Sequence, residues 1–235
     1  MPKVHVSATA DESARQAAEL VAALSERAVR DRGRFAVALS GGSTPRRLHA
    51  VLASEEYRQR ISWPHWRIFW GDERAVRPDH DESNYRMARE TLLDHVALSQ
   101  AHVHRIPTEF DPARAASEYE QTIRQALHGD IPTFDLILLG MGDDGHTASL
   151  FPGSEALQED KRLVTADRIT FTLPLINRAA AVAFLVEGAH KANMVQHVLQ
   201  AEPGEEPLPA SLVQPADGEL HWFLDSSAAE QLTGI

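Results

Sequence analysis

The chain contains no cysteine, which excludes disulfides, thiolate metal sites and a cysteine nucleophile together. Lysine is scarce: Lys3, Lys161 and Lys191 are the only three among 23 basic residues. No apolar run approaches the ~18 residues needed to cross a bilayer. The opening Met1-Pro-Lys-Val-His-Val6 has no apolar leader core and reads as a first strand. These absences predict a cytoplasmic protein with no membrane partner. The formal net charge of −11 argues against nucleic acid as a partner. It leaves room for a small anion, because a few local cations and backbone amides suffice to bind one. With 235 residues and 43% hydrophobic content, one domain spanning 1–235 can bury a substantial core.

Apolar periodicity alternates between strand and helix along the chain, without a long linker, repeat or low-complexity tract. A helix is predicted over Asp11–Asp31 with Asp11 as its cap, a strand over Phe35–Leu39, and a helix after Pro45 running to about Leu52. A strand at Arg67–Trp70 is followed by a helix at Ser83–Leu93, a short strand at Val103–Pro107 and a helix at Pro112–His128. Further strands are predicted at Phe134–Leu139, Ile169–Leu173, Ala180–Val186 and His221–Leu224, with a helix at His190–Leu199 and a short C-terminal helix. Glu202–Pro209 reads as loop. Such alternation predicts an α/β fold with a mainly parallel sheet flanked by helices. Ligands then bind beyond the carboxyl ends of the strands.

Four predicted strand ends carry unusual loops. Ser40-Gly-Gly-Ser-Thr-Pro45 combines exposed amides with a helix start, where Ser43 or Thr44 can cap and Pro45 fits the first turn. That arrangement suits a phosphate, although it is neither a Walker A loop nor a dinucleotide fingerprint. Gly71-Asp-Glu-Arg74 offers Asp72 and Glu73 for proton transfer or for holding a sugar hydroxyl, and Arg74 for an anion. Gly140-Met-Gly-Asp-Asp-Gly-His146 crowds Asp143, Asp144 and His146 into a glycine-rich turn. A histidine beside a carboxylate is held in one tautomer and made a better proton acceptor, as a general base requires. Either aspartate can serve. Glu187-Gly-Ala-His-Lys191 sets Lys191 in the first turn of a helix, where the dipole disfavours a cation unless an anion compensates it. Asp79-His80-Asp81 and His102-x-His104 invite a metal reading, but neither supplies a credible set of three ligands.

Ser40–Pro45, Gly71–Arg74 with the following Ser83-Asn-Tyr85, and Gly140–Gly153 resemble the motifs of the 6-phosphogluconolactonase family. Arg168–Asn177, Gly188–Ala192 and Pro215–Asp225 extend the similarity over nearly the whole chain. The resemblance implies a Rossmann-like α/β fold and hydrolysis of 6-phosphoglucono-1,5-lactone, the second step of the oxidative pentose phosphate pathway, with a small-molecule substrate and no metal or organic cofactor. It further implies that His146 activates water and that Asp144 orients the imidazole. Gly42, Ser43 and Thr44, with Arg168 and Lys191, would hold the phosphate, with Arg74 as a further cation. Asp72 becomes a structural or hydroxyl-binding residue, and Asp143 a possible accessory. The chain departs from related lactonases in having only Thr165-Ala-Asp167 between Val164 and Arg168. An aminosugar-phosphate deaminase of the same superfamily would need a glutamate five residues after the loop histidine, where this chain has Phe151. A serine hydrolase would need a Gly-x-Ser-x-Gly elbow, which is absent. A non-catalytic sugar-phosphate sensor would need no His146 beside a carboxylate.

Overall fold

The structure is a computed structural model that describes residues 1–127, 132–166, 168–201 and 204–234. Its centre is a six-stranded sheet in which every neighbouring pair is parallel. The strands are β1 (Lys3–Ser7), β2 (Phe35–Leu39), β3 (Trp66–Trp70), β4 (Leu136–Leu139), β7 (Ala181–Val186) and β8 (Glu219–Asp225). Their spatial order is β1-β8-β7-β4-β2-β3. β2, β4 and β7 are buried along their whole length, as continuous apolar runs covered on both faces must be. Asp135, just before β4, ties the sheet's opposite end by accepting from the Ala36 amide at 2.7 Å and pairing with Arg32 at 2.6 Å.

The helices are α1 (Ala10–Arg32), α2 (Ser43–Leu52), α3 (Glu55–Arg60), α4 (Asn84–Thr91), α5 (Pro112–Leu127), the short α6 (Leu173–Ile176) and α7 (Ala192–Gln200). α1 begins one residue before its predicted start, because Thr9 and Glu12 form a capping box in place of an Asp11 cap. It stops at Gly33, whose φ of 72° supplies the left-handed turn. The last residue of the predicted Pro112–His128 helix lies outside the described residues, as do the first two of the Glu202–Pro209 loop.

Three predicted elements differ. Val103–Pro107 forms only an isolated parallel bridge to Ile68, because the segment peels away from the edge strand after one pair and reaches Pro107. Ile169–Leu173 reduces to β6 (Thr170–Phe171), which pairs antiparallel with β5 (Val164–Thr165) outside the main sheet. Pro174 at the start of α6 cuts that strand short. The segment after β8 folds into successive turns, with Asp225 accepting the Ala228 amide at 2.8 Å, and not into a helix.

This order creates a switch point between β2 and β4. From β2 the chain moves outward to β3, then returns on β2's other side to form β4. The loops leaving these two neighbours diverge and open a crevice at their carboxyl ends.

Candidate active site

A cavity of about 490 Å³ lies in that crevice, within the usual range for a small-molecule site. It is lined by all four loops: by Gly42, Ser43 and Thr44 after β2, Asp72 and Arg74 after β3, Gly140 and His146 after β4, and Glu187 and Lys191 after β7.

Neither Ser43 nor Thr44 caps α2. Gly42 occupies the cap position with φ 110°, a conformation open to glycine, and both residues fall inside the helix. Among the described residues no side chain caps the first-turn amides, so the positive end of the helix dipole borders the cavity. The Thr44 hydroxyl turns to Glu187 instead. Gly41 is required by space: a methyl group there would collide with the Asn84 carboxamide, which donates to the Asp72 carbonyl at 3.0 Å. Asn84 thereby packs against the first loop while it is hydrogen-bonded to the second.

The two carboxylates after β3 have separate fates. Glu73 accepts from the amides of Asn84 and Tyr85, both at 2.8 Å, and from the Ser83 hydroxyl at 3.0 Å. It is spent on the start of α4, which corrects the reading of Glu73 as a proton carrier. Asp72 faces the cavity, is 7% exposed and accepts from the Ser149 hydroxyl at 2.7 Å. Burial pushes its carboxyl above the ordinary aspartate range, and the Ser149 hydrogen bond only partly offsets this. Arg74 lines the cavity while donating to the Glu82 carbonyl at 2.7 Å.

In the third loop Asp144 Oδ1 lies 2.5 Å from His146 Nδ1 and accepts the His146 amide at 3.1 Å. Asp143 points elsewhere, with its Oδ1 2.5 Å from Lys191 Nζ. The ambiguity between the neighbouring aspartates is thus resolved. Burial raises the Asp144 carboxyl, but the ring and amide of His146 together pull it below the ordinary range. With Nδ1 engaged, Nε2 is the imidazole nitrogen left to accept a proton. Phe151 stacks on the imidazole at 4.2 Å between ring centroids. Gly142 leaves room on another side: a methyl group on it would come within 2.0 Å of Nδ1 and 2.1 Å of Cε1 of His146.

Arg168 stands over the Phe151 ring, 4.4 Å from its centroid. It lines a smaller adjoining chamber with Arg74 and Ser149, not the main cavity. β6 explains this placement, since Thr170 bridges antiparallel to Asp72 and accepts the Ser149 amide at 3.1 Å. α7 begins at Ala192, two residues after the predicted start at His190, and Lys191 is its cap residue and the last residue of the 3-10 turn Ala189–Lys191 that leads into it.

Sequence reasoning missed the working partners of the expected residues. Ser149 and Asn84 were visible only as motif letters. Glu187, 13% exposed in its side chain, lies 3.5 Å from Arg47, and burial raises its carboxyl. Its position at a strand end before a glycine was the available clue. Asp79 pairs with Arg77, and Asp81 with Arg86. Among the described residues no group of three or more histidines and carboxylates is placed to hold a metal ion. None of the described helices is long and apolar enough to cross a membrane.

Residues 8–222 match the family model described as glucosamine-6-phosphate isomerases/6-phosphogluconolactonase. The chain is 47% identical over 216 residues to a Synechocystis protein named 6-phosphogluconolactonase, covering 88% of each. A Nostoc protein of the same name is 43% identical, covering 92% of each chain. The 6-phosphogluconolactonase structure from Trypanosoma brucei superposes with a TM-score of 0.88 at 30% identity, over 99% of both chains.

Proposed function

The chain belongs to the glucosamine-6-phosphate isomerase/6-phosphogluconolactonase family, and within it we propose that it is the lactonase: it hydrolyses 6-phosphoglucono-1,5-lactone to 6-phosphogluconate, the second step of the oxidative pentose phosphate pathway. The observation that carries this reading is His146, paired with Asp144 at 2.5 Å, in one cavity with the start of α2 and Lys191. A base and an anion cradle sharing one chamber suit a phosphorylated substrate attacked by water.

His146 Nε2 takes a proton from water as the oxygen bonds to the lactone carbonyl carbon. The resulting tetrahedral intermediate expels the ring oxygen, breaking its bond to that carbon, and the imidazolium returns the proton to it. Asp144 fixes the tautomer and stabilises the cationic imidazole between the two steps. The phosphate rests on the amides of Gly42, Ser43 and Thr44 and on Lys191, with Arg74 beside them. Arg168 joins these contacts only on leaving the Phe151 ring. Asp72, held by Ser149, receives a substrate hydroxyl. Binding at the phosphate places the distant carbonyl, converting remote contacts into rate.

Phe151 favours hydrolysis over deamination, because the ring stacked on His146 has no proton to transfer. The enzyme acts in this reading as one domain in the cytoplasm on a free small molecule, independently of nucleic acid. Proton release on adding freshly made 6-phosphogluconolactone, above the spontaneous rate, is the test. Dialysis against a strong chelator should leave that rate unchanged. Absence of catalysed proton release, or ammonia release from glucosamine 6-phosphate at a comparable rate, refutes the assignment.

A further inference from the structure

Lys191 has the electrostatic surroundings of a cation waiting for an anion. It sits at the N-cap of α7, where the helix dipole opposes positive charge, and its side chain is only 16% exposed. Its counter-charge comes from a different loop, at 2.5 Å from Asp143 Oδ1.

The two partners differ in how they are held. Lys191 is embedded, whereas the Asp143 side chain is 76% exposed. The neighbouring Asp144 is committed to the ring and amide of His146. Among the described residues Asp143 has ion-pair contacts only with Lys191 and, at 4.0 Å, His190. Losing Lys191 costs Asp143 little, since water already solvates most of it. Among the described residues Asp143 is the one carboxylate within 4.0 Å of the Lys191 ammonium, so its loss would leave that group without an ion-pair partner until another anion replaced it. A phosphate dianion brings more charge and three strong acceptor oxygens to the same ammonium group.

We propose that Asp143 is a built-in competitor of the substrate phosphate, neutralising Lys191 in the empty site and surrendering it when the phosphate arrives. This rests on the reading of the cavity as a sugar-phosphate site. Asp143 acts through Lys191 and is a positioning residue, not a catalytic one. It lowers affinity for substrate and product alike, and by recapturing Lys191 it assists release of the anionic product.

A residue that merely steadied Lys191 would have the opposite sign, and this makes the idea testable. Binding of inorganic phosphate and of 6-phosphogluconate is measured by calorimetry for the parent, Asp143→Asn, Asp143→Ala, Asp143→Glu, Lys191→Ala and the Asp143→Asn/Lys191→Ala pair. Asp143→Asn and Asp143→Ala should bind both ligands roughly two- to fivefold more tightly, the range for losing an ion pair in which one partner is largely exposed. KM for the lactone should fall by a similar factor without a rise in kcat, and Asp143→Glu should restore parent affinity. In the Lys191→Ala background the gain should disappear. Unchanged or weaker binding by Asp143→Asn overturns the proposal, as does a gain that persists without Lys191, or a parent that binds neither ligand. A parent that binds phosphate but hydrolyses no lactone sinks the lactonase reading, while the affinity ratios still decide the role of Asp143.

Discussion

Replacing Gly142 by alanine should disable catalysis while leaving the fold intact, for a reason specific to this geometry. Gly142 is not among the glycines with positive φ, so an alanine backbone is tolerated there. The conflict is in the side chain: the added methyl would overlap Nδ1 and Cε1 of His146 and sit 2.8 Å from Asp144 Oδ1. Ordinary carbon contacts need about 3.5–4 Å, so the imidazole must shift by on the order of 1 Å or more. The ring is 30% exposed and can swing outward, which keeps the cost in stability small. It cannot do so and keep both the 2.5 Å contact to Asp144 and the stacking on Phe151. A misplacement of about 1 Å costs on the order of 10² in rate, or about 2.7 kcal/mol in the barrier. Initial rates of proton release at saturating lactone, with spontaneous hydrolysis subtracted, give the turnover. Calorimetric binding of 6-phosphogluconate and a thermal melt report whether the phosphate cradle and fold survive. A well-folded Gly142→Ala enzyme retaining more than about a third of parent turnover would refute the placement of the Asp144–His146 pair at the reaction.

His146→Asn should lower turnover by about 10² to 10⁴ while holding 6-phosphogluconate within a few fold of the parent. Asp144→Asn should lose less, and the double variant should be little worse than His146→Asn alone; additive losses in the rate assay would separate the two residues. Asp72→Asn should raise the melting temperature at pH 7, since the charged carboxylate is disfavoured by burial in the folded state. Because the folded pKa is raised, that gain should vanish on acidification below the unfolded value of about 3.8, and a gain that persists in acid melts would contradict the assignment. Burial and the nearby Arg46 lower the His49 imidazole to about 4, so its contribution is present above pH 6.5 and lost as pH falls toward 4. Denaturant titrations should show His49→Gln losing less stability than the parent across that window, by up to about 3 kcal/mol; identical slopes would rule it out.

Much of the architecture was legible because local rules and global fold agree. β2, β4 and β7 are unbroken apolar runs, which suit strands covered on both faces, and the glycine-rich loops at their ends marked the site. The elements misread were those decided by neighbours far along the chain. Val103–Pro107 has strand-like letters but finds only one pairing partner, and Ile169–Leu173 pairs with a two-residue strand outside the sheet.

The sequence by itself determined the fold class, the four strand-end loops and the inventory of chemical groups in them, because these follow from periodicity, glycine placement and residue type. Only the tertiary structure decided the division of labour within each pair of adjacent carboxylates. Asp144 meets His146 while Asp143 meets Lys191, and Asp72 faces the cavity while Glu73 caps α4. In a turn, consecutive side chains diverge, and what each one meets arrives from elsewhere: Lys191 from the loop after β7, Ser83 to Tyr85 from the start of α4, Ser149 from the loop after β4. Letter order carries no record of which neighbour points which way. That direction is fixed only when the strands pack and the four loops converge on one crevice.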